Sequence, residues 1–288
     1  MNTPASVSTG PERAFLRVRE GLIHYRHAAP GSEAAAADRP VWMMHASPAS
    51  SRSLEALLMA MGRTRRAIAP DTPGNGDSAP LSGHAPALGD YADAFLRSMD
   101  ALGIERADLY GYHTGAHIAI EMAILRPDRI GSLVLDGLLW LEDSERADYL
   151  AEYAQPLVPD AQGTQVFRAL QFIRDQAWFF PHFRRDAAHN LGGGAMPPAL
   201  LHALTVDLLK AAETYHLAYH AVFRHRLEER LPLLRRPVLL LGDEGDPTRH
   251  SIPRAAALIE GARTALPGEG WSPQGAAAKA ALISSFLG

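Results

Sequence analysis

An α/β fold on a mostly parallel, eight-stranded sheet is predicted for this 288-residue chain by three features. Apolar runs of strand length alternate with segments of helical period, from about residue 13 to 136 and again from about 235 onward. Between these stretches lies a segment with helical period only, broken by Pro and Gly. Gly-rich turns follow several of the strand-like runs. Strands that alternate with helices need crossover connections, and these keep successive strands parallel.

The elements follow in order. Residues 1–11 carry no periodic pattern and read as a flexible N-terminal arm. "AFLRVREG" and "LIHYRHA" read as two short strands joined by a turn at Glu20-Gly21, and "APGSEAAAADRP" as a surface loop. "VWMMH" is an unbroken apolar run, suited to a strand buried on both faces. "SLEALLMAMG" repeats apolar residues at helical spacing up to a stop glycine. The alternation continues with "RRAIAPD", "LGDYADAFLRSMDALG", "RADLYGY", "TGAHIAIEMAILRP" and "IGSLVLDG". Residues 138–234 read as a helical cap and hold 12 of the 21 aromatic residues. The sheet resumes with "RPVLLLGDEGDP", followed by a helix "IPRAAALIEG", a short strand "ARTALPG" and a closing helix "GAAAKAALISSFLG". The core is therefore expected to comprise 12–137 and 235–288. Most cap aromatics should form the insertion's own small core, with a minority, Trp178 and Phe179 of "WFFPHF" among them, lining a pocket beneath it.

Composition narrows the function. Twenty-eight basic and 32 acidic residues are mixed along the chain and give a net charge of −4, which favours neither nucleic acid nor an anionic membrane surface. No uninterrupted apolar run reaches the ~18 residues needed to span a bilayer, and the N-terminal residues lack the pattern of a secretory signal, so a cytoplasmic location is expected. Without cysteine there is no disulfide, Cys-ligated zinc or thiolate nucleophile. The expected partner is a small-molecule substrate, no cofactor is called for, and a homodimer stays open as an alternative to a monomer.

Four strings carry a resemblance. "HASPAS" after the third strand, "PDTPGNGDS" after the fourth, "GYHTG" after the fifth and "GDEGDP" after the seventh resemble the successive landmarks of the α/β-hydrolase superfamily with a helical cap. Each string is weak alone, but all four stand in the right order at the C-terminal ends of predicted strands, where sites in open α/β sheets lie. The resemblance extends from about residue 13 over nearly the whole chain.

What it implies for chemistry differs by position. Gly111 and Gly115 match the small residues of a G-x-S-x-G elbow, with His113 in the nucleophile's place and Tyr112 beside it. The backbone N–H groups of Thr114 and Ser47 would form the oxyanion hole. The acid maps onto Asp246, with Asp243 as the lesser candidate. The family's histidine position falls on Trp271, whose indole can donate a hydrogen bond but cannot take a proton. Serine-esterase chemistry is thus excluded by this alignment.

His113 has three compatible roles. It is a general base or nucleophile oriented by Asp246, or a residue that fills space or binds a ligand in a site without chemistry, or a metal ligand with His117 and Glu121 at helical spacing. No metal is the preferred expectation, because buried neutral histidines explain His117 more simply. His45 would line the site while tying down the oxyanion loop. Asp71 and Ser78 would shape a turn with Gly74 and Gly76. One of His182, His189, His216 and His220 would approach the ligand, and His250 is a remote substitute proton carrier. The expected function is enzymatic, on a small apolar or aromatic carbonyl-type substrate, with hydrolysis first and lyase or proton-transfer chemistry second. A catalytically inactive ligand-binding protein is the alternative.

Overall fold

The computed structural model describes residues 10–30, 39–268 and 272–288. Strands β1 (Glu12–Val18) and β2 (Gly21–Ala28) form an antiparallel hairpin. Val18 pairs with Gly21, so the turn is Arg19-Glu20, one residue earlier than expected, because Gly21 already belongs to the ladder. Six further strands follow: β3 (Val41–Met44), β4 (Ala67–Pro70), β5 (Ala107–Tyr112), β6 (Ile130–Asp136), β7 (Val238–Leu241) and β8 (Arg263–Ala265). The sheet order is β1-β2-β4-β3-β5-β6-β7-β8. β2 meets β4 antiparallel, and every pairing from β4 to β8 is parallel.

The helices are α1 (Glu55–Met61), α2 (Leu88–Ala101), α3 (Thr114–Leu125), α4 (Asp143–Asp148), α5 (Thr164–Gln176), α6 (Pro198–Lys210), α7 (Tyr215–Arg224), α8 (Leu227–Arg230), α9 (Ile252–Ala256) and α10 (Pro273–Leu287). The first helical string begins as a 3-10 turn, Ser51–Leu54, because the Ser50 side chain caps it by accepting from the Arg52 N–H.

Strand alternation explains the unbroken apolar runs. Trp42 and Met44 of β3 enter one core layer, with α2, α3 and α9, while Val41 and Met43 enter the other, with α1 and α10. β6 divides likewise, Leu133 and Leu135 against Val134. With both faces of the sheet covered, neither can be polar. At ~25 cal/mol per Å² of apolar area, each fully buried Leu or Met contributes about 1.5–3 kcal/mol.

A helical insertion holding α4 to α8 joins β6 to β7. Its aromatic residues largely pack on one another. Tyr149 stacks on Tyr153 with ring centroids 5.3 Å apart, and Tyr219 on Phe223 at 5.7 Å. Phe172 meets Tyr215 edge-on at 5.5 Å. These rings continue into the core layer on the α2–α3 side, so the insertion is seated by apolar burial as well as by its two connections.

Candidate active site

The tight turn between β5 and α3 sets the geometry. His113 adopts φ 48° and ψ −108° and is the only non-glycine residue with positive φ among the described residues. For an L-residue with a branched ring this is a strained conformation, kept only where the surroundings over-determine it. The His113 N–H donates to the Asp136 carbonyl at 2.8 Å, which extends the strand ladder into the turn. The flanking glycines are sterically required. A Cβ on Gly111 would lie 2.3 Å from the Gly115 carbonyl oxygen, and one on Gly115 would lie 2.2 Å from that of Met44.

His113 reaches an acid directly. Its Nε2 lies 2.8 Å from Asp246 Oδ2. The other carboxylate oxygen accepts from the Thr248 N–H at 2.8 Å and from its hydroxyl at 2.7 Å, as Asp246 caps the 3-10 turn Pro247–Ser251. Gly137 lies against the pair. A Cβ there would fall 2.8 Å from both Asp246 Oδ2 and His113 Nε2. Burial pulls His113 toward its neutral form, but the charge and hydrogen bond of Asp246 outweigh it and raise the imidazole above its ordinary value. Burial likewise opposes charge on Asp246, yet His113 and the Thr248 donors hold it well below the usual carboxylate range. Asp243, the lesser candidate, bonds Lys279 at 3.0 Å; Lys279 also bonds Asp136 at 2.8 Å, and Asp136 accepts from the Tyr110 hydroxyl at 2.7 Å.

A cavity of about 470 Å³ opens over this turn, mostly apolar in lining. Ser47, Tyr112, His113, Thr114 and Asp246 line it from the core, and Tyr153, Phe180, Tyr219 and Phe223 from the insertion. The His113 side chain keeps 28% exposure, which makes it available to a ligand. The Ser47 N–H donates to Thr114 Oγ1 at 3.2 Å, and the Tyr219 hydroxyl fixes that loop by donating to the Ser47 carbonyl at 2.6 Å. The N–H of Thr114 stands in the first turn of α3, where N–H groups have no helical partner.

Other expected residues fall elsewhere. Trp178 and Phe179 do not line the cavity. The turn that ends α5 directs both N–H groups to the Asp175 carbonyl, Phe179 bridges Asn190, and Phe180 takes the lining position. His45 is fully buried behind the loop rather than in the cavity wall, its Nδ1 donating to the Ala46 carbonyl at 2.8 Å and its Nε2 accepting from the Thr72 N–H at 2.9 Å. Trp271 lies outside the described residues. Asp71 binds the Ser51 and Asp77 N–H groups and His24, and Ser78 bonds the Asp71 carbonyl. None of His182, His189, His216 and His220 lines the cavity; His182 and His220 bond the Tyr153 and Ala154 carbonyls. His250 is exposed and bonds the Pro247 carbonyl. His113, His117 and Glu121 do not converge as metal ligands, since His117 bonds His225 while Glu121 bonds His225 and Arg230.

Thr248, Gly137, Tyr219, Lys279 and His225 escaped the sequence reading. Only Thr248 had a local signal, the Asp-x-Thr spacing of a helix cap in "DPT". Tyr219 and His225 meet their partners across more than a hundred residues, Lys279 meets Asp243 across 36 and Asp136 across 143, and Gly137 acts through backbone approach alone.

A parallel sheet with a strained strand-to-helix turn, an acid beyond β7 and a helical insertion over both defines a recognisable class of site. Residues 39–186, just over half of the chain, match the family model described as alpha/beta hydrolase fold, and the chain belongs to that family. It is 34% identical over 142 residues to a 2-hydroxy-6-oxononadienedioate/2-hydroxy-6-oxononatrienedioate hydrolase of Pseudomonas putida, a match covering 46% of each chain. Thus the chain spans about half the length of that curated relative. It is 29% identical over 207 residues to a haloalkane dehalogenase of Mycobacterium bovis, covering 67% of this chain and 68% of that one. Among solved structures, a hydrolase from Pseudomonas aeruginosa superposes with a TM-score of 0.70 at 25% identity, over 96% of this chain and 98% of the other. Among the described residues no helix is long and apolar enough to cross a membrane.

Proposed function

We propose that this chain is an enzyme acting on a small, largely apolar or aromatic carbonyl compound, with the His113–Asp246 pair as its proton-accepting dyad. The observation that carries the reading is the 2.8 Å contact of His113 Nε2 with Asp246 Oδ2 at a strained turn facing an apolar cavity. Asp246 holds the proton on Nε2, so the lone pair resides on Nδ1, and no hydrogen bond from the described residues engages that atom. A neutral imidazole so held takes a proton from water as the water adds to a carbonyl carbon, then returns it to the leaving group. The same Nδ1 can instead attack the carbonyl to give a labile acyl-histidine. The oxyanion would accept from Thr114 N–H and, after displacing the long bond to Thr114 Oγ1, from Ser47 N–H. The hydrolase names of the relatives support hydrolysis first; abstraction of a proton beside a carbonyl, as in a lyase, needs only the dyad.

One observation favours a second reading, a ligand-binding protein without turnover: the Ser47 N–H is already engaged by Thr114. Assays of the wild type on aryl esters, lactones and β-dicarbonyl compounds, with binding followed by calorimetry, separate the two. Turnover of a panel member is expected, and organophosphates and sulfonyl fluorides should leave the intact mass unchanged because the elbow carries no serine. Binding without turnover across the panel supports the second reading, and a stoichiometric adduct on a serine would misplace the nucleophile.

A further inference from the structure

Beyond the dyad, a second chain of titratable groups starts at the same cavity. His117, one turn along α3 from His113, lines the cavity and has no exposed surface. Its Nδ1 lies 2.8 Å from Nδ1 of His225. His225 Nε2 lies 2.9 Å from Glu121 Oε1. Glu121 is gripped by Arg230, whose Nε and Nη2 donate to its two oxygens at 2.8 and 2.6 Å. Glu121, His225 and Arg230 in turn line a separate surface cleft together with Arg224. His117 Nε2, directed away from His225 by the geometry of the ring, is buried with no hydrogen-bond partner among the described residues. An orphaned buried nitrogen in a cavity wall is a group awaiting a partner.

Hydrogen counting constrains the relay. A carboxylate only accepts, so His225 Nε2 carries a proton toward Glu121. Between two facing Nδ1 atoms one must donate and the other accept. When His225 is neutral its Nδ1 is the acceptor, so His117 donates from Nδ1 and presents a bare lone pair at Nε2. When His225 is an imidazolium, the donor is reversed and His117 presents Nε2–H instead. We propose that His117, His225 and Glu121 form a proton relay between the catalytic cavity and the cleft, with His117 Nε2 as the cavity-side acceptor.

The transfer balances without a co-reactant. An O–H bond of water or substrate in the cavity breaks and its proton binds His117 Nε2. The His117 Nδ1–H proton passes to His225 Nδ1, and the resulting imidazolium keeps its Nε2–H on Glu121, so the positive charge rests at the cleft beside the carboxylate until both protons run back and one leaves His117 Nε2 for the leaving group. Burial above all, then the proximity of His225 and His113, keeps His117 well below its ordinary value and so in the neutral form an acceptor requires. The charged and titratable groups around the relay are His113 and Glu121 of α3, Arg230 of α8, Arg224 in the cleft wall, and Arg146, which donates to the Phe223 and His225 carbonyls. The relay's role in turnover rests on the proposed carbonyl chemistry; its coupled protons do not.

Long-range 1H–15N spectra of the histidine rings in the wild-type protein test it. In one titration step on acidification, His225 should gain its second N–H while the His117 proton moves from Nδ1 to Nε2. Rings that titrate independently, or a His117 that keeps one tautomer as His225 titrates, would overturn the relay. His225→Phe, with its fold checked by thermal melting, should abolish the His117 switch, whereas His113→Ala should leave it intact. On a panel compound that the wild type turns over, His225→Phe should lower kcat about tenfold with KM unchanged and recover with added imidazole, and an unchanged kcat would contradict the role in turnover. If no panel compound is turned over, the carbonyl reading fails while the spectra still decide the relay.

Discussion

The proposed chemistry rests on one ring, His113. It stands at the elbow and also contacts Asp246 beyond β7 directly, at 2.8 Å. This has a pH signature. The raised imidazole value means that the neutral, proton-accepting form is lost as pH falls through a point above about 6.5, so kcat/KM should decline on that acid side. Stability runs differently. The raised His113 contribution is fully present below the unfolded histidine value of about 6.5 and is lost as pH rises through the folded value; the depressed Asp246 contribution is present above about 3.9 and is lost as pH falls through its lowered value. The melting-temperature advantage of the wild type over His113→Ala should therefore be largest between about pH 4 and 6.5 and shrink toward pH 9. An advantage that grows toward pH 9 would mean that the pair is not charged in the folded state.

Among the elements, the β5–α3 elbow was the most legible in the sequence. "GYHTG" between an apolar run and a helical pattern signals a backbone approach that only small residues permit, and the approach of Gly115 to β3 is of that kind. Gly115→Ala places a methyl against the Met44 carbonyl and must push α3 from β3, so urea unfolding should show a loss of about 1–3 kcal/mol or more. An unchanged denaturation midpoint would show that α3 yields without strain. Continuous apolar runs gave away the buried strands for an equally local reason, since both sheet faces are covered. The insertion was legible only as helical and aromatic. Which of its rings face the cavity depends on how the turn after α5 closes, and that turn places Phe180, not Trp178 or Phe179, in the wall.

Across the whole molecule, the contacts that complete the site join distant parts of the chain, and no periodicity encodes them. His117 and His225 are 108 residues apart, and Asp246 lies 133 from His113. Lys279 of α10 sits between Asp136 and Asp243 beneath the elbow, and nothing in the alanine-rich pattern around it singles it out. Asp246 was found despite its distance because family order supplied the correspondence; His225 and Lys279 had no such guide. The architecture thus concentrates one proposal on one side chain, and turnover of His113→Ala beside the wild type, on a panel compound that the wild type processes, tests it most directly. The variant should remain folded and bind the compound while kcat falls about 10²- to 10⁴-fold, the usual contribution of a positioned base, and His113→Ser should not restore ester hydrolysis. An unchanged kcat in His113→Ala would contradict the assignment of His113 as the catalytic base.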